Sequence, residues 1–140
     1  MKRFRFNLEK ILQIRKYKEE ECKLALGQAI SALNKIENEI KITALMKHKA
    51  ASERFKDTEE AQSWDIYILR LEQEAEKLSE RAAQAELVVE EKRRIYLEAL
   101  KEVQAIDKLK EKKQKEYRKE MLDSQMNEVD ELTATRQMIL

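Results

Sequence analysis

The chain is 140 residues long, contains no proline and only one glycine, and 41% of its residues are charged. More than half of the residues are Ala, Glu, Lys, Leu or Arg, a composition typical of long helices and coiled coils and not of a compact globular domain. The net charge of +1 excludes a uniformly basic nucleic-acid binder. Local clusters must therefore carry any electrostatic recognition.

The sequence offers no segment for membrane insertion or secretion. No apolar run approaches the ~18–20 residues that a membrane span requires, and the opening residues lack the apolar core of a signal peptide. Cys22 is the only cysteine, which is consistent with a reducing compartment. We therefore expect a cytoplasmic protein.

The first helix is predicted over about residues 5–50. Asn7 is a suitable N-cap, and Phe6 with Ile11 has the spacing of a hydrophobic staple. Steps of alternately four and three residues then define a coiled-coil seam. This first seam consists of Leu8, Leu12, Arg15, Glu19, Cys22, Leu26, Ala29, Leu33, Ile36, Ile40, Thr43, Lys47 and Ala50.

The apolar periodicity lapses between about residues 51 and 63, which predicts a turn. Asp57 and Glu60 have the spacing of a capping box, and Ser63 is placed to cap a second helix over about residues 64–136. The second seam consists of Trp64, Ile68, Leu71, Ala75, Leu78, Ala82, Ala85, Val89, Lys92, Tyr96, Ala99, Val103, Ile106, Lys110, Lys113 and Tyr117. A stripe repeating every 3.5 residues must be covered by another helix.

These features predict an all-α fold, a long antiparallel two-helix coiled-coil hairpin that forms one domain over residues 1–140. Folding back places Leu33 opposite Ala85 and Ile40 opposite Leu78. Farther from the turn, Arg15 faces Val103, and such polar layers predict looser packing there. A homo-oligomeric structural coiled coil, in which the seams pair between chains, is the alternative from a different class.

The second helix is predicted to continue beyond the partner that could cover it. From Tyr117 onward its apolar residues have no counterpart in the first helix, because that helix has no residues left to face them. An uncovered amphipathic extension is either a binding element or a frayed tail. The apolar set consists of Tyr117, Met121, Leu122, Met126, Val129 and Leu132.

Basic residues from two distant segments converge in the hairpin. The set consists of Lys2, Arg3, Arg5, Lys10, Lys108, Lys110, Lys112, Lys113, Lys115, Arg118 and Lys119. The turn carries acidic residues instead, such as Asp57 and Glu60. Solvated helix faces would account for such charges, but their convergence favours an acidic protein partner. Nucleic acid is disfavoured because aromatic residues other than Tyr117 are not interleaved there.

The residues give little support for catalysis or for a cofactor. His48 has no second histidine or cysteine at ligand spacing, and Cys22 lies at a seam position without a neighbouring base. An extended hairpin also has no cavity in which two carboxylates could be desolvated. We therefore expect a protein that is not an enzyme and that needs no metal or cofactor.

Both ends of the chain resemble the flagellar export protein FliJ family. The opening has aromatic, Leu-Glu and Leu-x-x-Arg elements followed by an acidic turn, and the chain closes with an Asp-Glu-rich element. The matching residues are Phe4, Phe6, Leu8, Glu9, Leu12, Arg15, Glu19, Glu20, Glu21, Asp130, Glu131 and Arg136. The length and the two-helix layout also fit the family.

The resemblance implies a non-enzymatic stalk and adaptor, similar in fold to the gamma-subunit stalk of rotary ATPases. Such a protein binds the hexameric flagellar export ATPase, promotes its assembly, and links it to the membrane export gate and to export chaperones. It would associate peripherally with the inner face of the cell membrane. The equivalent stalk of a virulence-type secretion system is the nearest alternative.

The resemblance also assigns two candidate sites. The basic end would enter the ATPase ring through Arg3, Arg5, Lys10, Lys110, Lys112, Lys113, Lys115 and Arg118. A patch at the start of the second helix would dock on the export gate near Tyr67, Leu71 and Glu74. Glu74 departs from the family pattern, which has a small apolar residue at this position.

Overall fold

The computed structural model of the protein describes residues 3–139. Helix α1 spans Glu9–Lys56 and helix α2 spans Ala61–Ile139, with 48 and 79 residues. Nothing in the described range forms a strand. The two helices form a helical hairpin, which confirms the predicted all-α fold class.

The connection between the helices is shorter than the predicted turn and consists of residues 57–60. The backbone N–H of Glu60 donates to Asp57 Oδ1 at 3.2 Å, so the Asp57 carboxylate caps the chain entering α2. The N–H of Trp64 donates to the carbonyl of Glu60, so Ser63 lies inside the helix and is not its cap. Residues 51–56 were predicted to lie in the turn because they form no apolar stripe. They remain helical because no Pro or Gly interrupts them.

Helix α1 begins later than about residue 5. The N–H of Leu12 donates to the carbonyl of Leu8 at 2.8 Å, which makes Leu8 the capping position in place of Asn7. The N–H of Glu9 donates to the carbonyl of Phe6 at 3.1 Å and closes a tight turn before the helix. The chain departs from helix here because Phe4 packs against the aromatic ring of Tyr117 on α2.

The chain packs as two units, of which one comprises Glu20–Glu98. The a/d positions of this unit are buried or half-buried, with Leu78 2% and Val89 6% exposed. Lys47 is the exception: it is exposed, and its Nζ lies 3.1 Å from a carboxylate oxygen of Glu72. The pairing of Lys47 with Glu72 agrees with the antiparallel register predicted from the seams.

The other unit comprises the residues up to Glu19 and those from Ala99 onward. Leu12 is 0% exposed, and Ala99 and Val103 are 3% and 6% exposed. These side chains are buried although the polar residues Arg15 and Glu19 occupy neighbouring seam positions. Arg15 stays compatible with these apolar neighbours because its guanidinium reaches Glu102 at 3.0 Å on the surface of the helix pair.

The second seam shifts by one position near its end. Lys113, predicted to lie in the seam, is exposed, whereas Gln114 is half-buried. The half-buried positions are Ile106, Asp107, Lys110, Gln114, Tyr117 and Met121, and the steps from Ile106 to Lys110 and from Lys110 to Gln114 are both of four residues. An added four-residue step is a stutter, which locally unwinds a left-handed supercoil.

The end of α2 remains helical and is exposed. Leu122, Met126, Val129 and Leu132 are 60%, 65%, 60% and 69% exposed. This part of α2 therefore matches the prediction that the second helix runs on beyond its cover.

The buried seam makes a direct prediction about stability. Replacing Leu78 by Ala should lower the free energy of unfolding by about 3 kcal/mol, because a buried leucine is replaced by a cavity. Leu87→Ala is the matched control, since Leu87 lies on the same helix but is 71% exposed, and it should change stability by less than about 0.5 kcal/mol. Denaturant unfolding followed by circular dichroism measures both. Equal losses in the two variants would contradict the assigned seam.

Candidate functional site

The residues before α1 lie on the surface of α2. The rings of Phe4 and Tyr117 have centroids 5.4 Å apart and are inclined by 49°. Phe4, Phe6, Lys110 and Gln114 line an open groove of about 640 Å³. The stutter places Gln114 in this groove while Lys113 is exposed to solvent, and Tyr117 lies in the seam with or without the stutter.

This contact brings basic residues of the two segments together, and we call them the basic cluster. Arg5 and Lys10 line the same groove as Lys110, and a neighbouring groove is lined by Arg3, Arg5 and Lys113. Lys2, which the sequence analysis placed in the same set, lies outside the described residues. The described basic cluster consists of Arg3, Arg5, Lys10, Lys108, Lys110, Lys112, Lys113, Lys115, Arg118 and Lys119.

Two lysines of the basic cluster are engaged in ion pairs. Lys110 is half-buried, and its Nζ lies 2.9 Å from a carboxylate oxygen of Glu9. Lys113 lies 3.7 Å from Glu116 on its own helix. Within residues 3–139, Lys112, Lys115 and Arg118 are exposed and make no ion pair, so their charge is available to a partner.

Glu9 is the one acid in the site whose pKa clearly changes. The hydrogen bond from Lys110 lowers the pKa of the Glu9 carboxyl, and the hydrogen bond from Gln13 Nε2 at 3.1 Å lowers it further. Both contacts stabilise the charged carboxylate. Glu9 therefore fixes Lys110 as a structural contact between the helices, while the other lysines project outward.

The second candidate patch lies near the start of α2. Trp64 and Tyr67 are in edge-to-face contact with ring centroids 6.1 Å apart. They line an open groove of about 380 Å³ together with Met46, Ala50 and the charged residues Lys49 and Glu53. This groove was not predicted, although the register places Ala50 close to the level of Tyr67.

The three residues assigned to the gate patch occupy different positions. Tyr67 is 36% exposed and Leu71 is 8% exposed, whereas Glu74 is fully on the surface. Leu71 is a seam residue, so its side chain supports the helix pair and does not face outward. Tyr67 and Glu74 remain accessible to a partner.

The arrangement offers surfaces that suit binding. Among residues 3–139, no group of His, Cys, Asp and Glu side chains could hold a metal ion. In the same part of the chain, every buried side-chain nitrogen or oxygen has a hydrogen-bond partner. Neither described helix is long and apolar enough to cross a membrane. The surface offers charged and aromatic groups on helical faces, which suit protein recognition.

The fold and the site define a helical hairpin that carries a cluster of basic residues from two distant segments. The family model described as Flagellar FliJ protein matches residues 4–139 of the chain. The chain therefore belongs to the FliJ family and is a component of the flagellar export apparatus. Neither the comparison with curated proteins nor that with solved structures gives a significant match.

The contact between Glu9 and Lys110 makes a prediction about titration. Replacing Lys110 by Met should raise the pKa of Glu9 toward its ordinary value of 4.5, because the charged donor is removed. Since the pKa of Glu9 is lowered in the folded chain, the contact stabilises the fold at pH values above that ordinary pKa. This stabilisation is lost as the pH falls through the lowered pKa.

Carboxyl NMR titration measures the pKa of Glu9 directly. Lys112→Met is the matched control, because it removes a lysine of the same cluster that does not contact Glu9. Identical Glu9 titrations in the Lys110→Met variant and the unmodified chain would rule out the assigned contact.

Proposed function

We propose that the protein is a non-enzymatic stalk and adaptor of flagellar export that binds the hexameric export ATPase through the basic cluster. The observation that carries this proposal is the gathering of cations from two distant segments at one site. Exposed, unpaired cations such as Lys112, Lys115 and Arg118 attract an acidic surface at long range. The part of the hairpin that carries the basic cluster suits insertion into the centre of a ring.

The same proposal gives the protein two further partners. We infer that the Trp64 and Tyr67 groove, with Glu74 beside it, docks on the membrane export gate, and that the chain also handles export chaperones. Aromatic side chains beside a groove are frequent anchors of protein interfaces. The protein would then sit at the inner face of the membrane through its partners and not through a span of its own.

The ATPase contact can be tested by reversing charge on α2. Replacing Lys112, Lys113 and Lys115 together by Glu should weaken binding of the export ATPase more than tenfold at low salt and reduce its stimulation. Each exposed charge contact contributes about 0.2–1 kcal/mol, and reversal adds repulsion to the loss of attraction. The effect should shrink as added salt screens the charges.

The matched control carries the same change of charge elsewhere. Lys23, Lys35 and Lys41 are exposed on α1, and their joint replacement by Glu should leave ATPase binding and stimulation near the unmodified level. If the cluster variant stimulates the ATPase as well as the unmodified chain at low salt, the basic cluster is not the ATPase contact.

The gate contact can be tested with one aromatic residue. Tyr67→Ala should weaken binding to the cytoplasmic part of the gate protein at least tenfold, because a ring at the edge of the groove is lost. Leu69→Ala is the control: Leu69 is 54% exposed and lies on a different face of the same helix. Titration calorimetry measures both. A larger effect of Leu69→Ala than of Tyr67→Ala would move the contact away from this groove.

A further inference from the structure

The end of α2 has an apolar face without a cover. Leu122, Met126, Val129 and Leu132 are each at least 60% exposed and are spaced by four, three and three residues, which places them on one side of the helix. The N-terminal segment reaches α2 as far as Tyr117 through Phe4. Helices in proteins are stabilised mainly by packing of their apolar face, so this face is a surface for docking.

The charges beside this face are divided into two blocks of opposite sign. From Lys108 to Lys119 there are seven basic and two acidic residues, and we call this stretch the basic block. From Glu120 to Glu131 every charged residue is acidic, and we call this stretch the acidic block. Its members are Glu120, Asp123, Glu128, Asp130 and Glu131.

We propose that this surface binds a second copy of the chain, with the two α2 helices antiparallel and a two-fold axis beside Leu122. In this arrangement the basic block of each copy lies along the acidic block of the other. A parallel pair would place like charges together along the whole contact, which is unfavourable. A two-fold interface needs a self-complementary surface, and adjacent blocks of opposite charge provide one.

The register follows from equal distances along the helix from the axis. Leu122 meets Leu122 of the second copy. Lys112 lies level with Leu132 of the second copy, next to Asp130 of that chain. Lys115 lies level with Val129 of the second copy, between Glu128 and Asp130 of that chain. Arg118 lies level with Met126 of the second copy, where its aliphatic part can cover the methionine while the guanidinium stays in water.

The charge pattern also favours a second copy over a different protein. A basic helix from another protein would match the acidic block and be repelled by the basic block. An acidic helix would match the basic block and be repelled by the acidic block. A second antiparallel copy matches both blocks at once, without any assumption about another sequence.

The size of the contact predicts a weak association. An overlap from about residue 112 to residue 132 covers roughly 30 Å of helix at about 1.5 Å per residue. This is a small interface by the standards of stable complexes, so the dimer should dissociate on dilution. Because exposed charges orient it, the dimer should also dissociate in high salt.

Charge reversal of the two blocks, each separately and then together, tests the proposal in the full-length chain. The first variant carries Lys112→Glu, Lys115→Glu and Arg118→Glu, and the second carries Asp123→Lys, Glu128→Lys and Asp130→Lys. Each variant alone should be monomeric in sedimentation equilibrium at concentrations where the unmodified chain dimerises, because both blocks then have the same sign. An equimolar mixture should form heterodimers, and a chain with all six changes should dimerise again.

These outcomes decide the proposal without any ATPase present, so they are independent of the function proposed above. Circular dichroism should show unchanged helix in every variant, since all six positions are exposed. If the unmodified chain stays monomeric at low salt, or if the mixture contains only monomers, the proposal is overturned. The apolar face of α2 would then bind a different protein.

A cross-linking experiment tests the position of the axis. In a Cys22→Ser background, Leu122→Cys should give a disulfide-linked dimer under mild oxidation, because the two thiols meet at the axis. Leu132→Cys should not, since the two thiols would lie about 30 Å apart. Equal cross-linking at both positions would overturn the antiparallel register.

Discussion

The structure depends on the apolar seam that α1 and α2 share. Side chains such as Leu12, Leu78 and Val103 are almost fully removed from water, and the other buried side chains of the described residues also lie in this seam. Burial of apolar surface is the main favourable term in such a fold. The seam positions also decide which faces of each helix point outward, and so which residues can meet a partner.

The ion pairs across the seam have a different role. Arg15 with Glu102 and Lys47 with Glu72 are about half-exposed on both sides, and such pairs contribute little to stability. They do fix the register, because each pairs one α1 position with one α2 position. The stability of the hairpin therefore does not depend on its charges, and many of them remain free for recognition.

The periodicity of the sequence was enough to predict the fold and the register. A repeat of 3.5 residues in both halves identifies the covered face of each helix, and Lys47 and Glu72 meet as that register requires. The limits of the helices were less predictable. The side chain of Asp57 accepts one hydrogen bond that caps the chain entering α2, and the turn is therefore shorter than predicted. Several neighbouring polar residues could cap a helix equally well, so the sequence alone does not identify the residue at which the helix starts.

The candidate site was only partly predictable for a related reason. The convergence of the basic residues follows from the register, so the sequence was informative there. The groove that Phe4 and Gln114 line depends on a stutter, because a seam counted forward by fixed steps places Lys113 inward in place of Gln114. The family resemblance assigned Leu71 to a docking patch, whereas the predicted seam had already placed it on the covered face of α2, where the structure buries it.

The unequal lengths of the helices connect the two proposals. With 48 residues in α1 and 79 in α2, part of α2 has no intramolecular cover, and that part begins where the basic block ends. Lys112 and Lys115 would contact the ATPase in one complex and a second copy of the chain in the other. One set of lysines cannot serve both partners at the same time, so the two complexes exclude each other. Binding of the ATPase would then draw the chain out of its weak dimer by mass action, and self-association would keep the basic block covered until the ATPase is present.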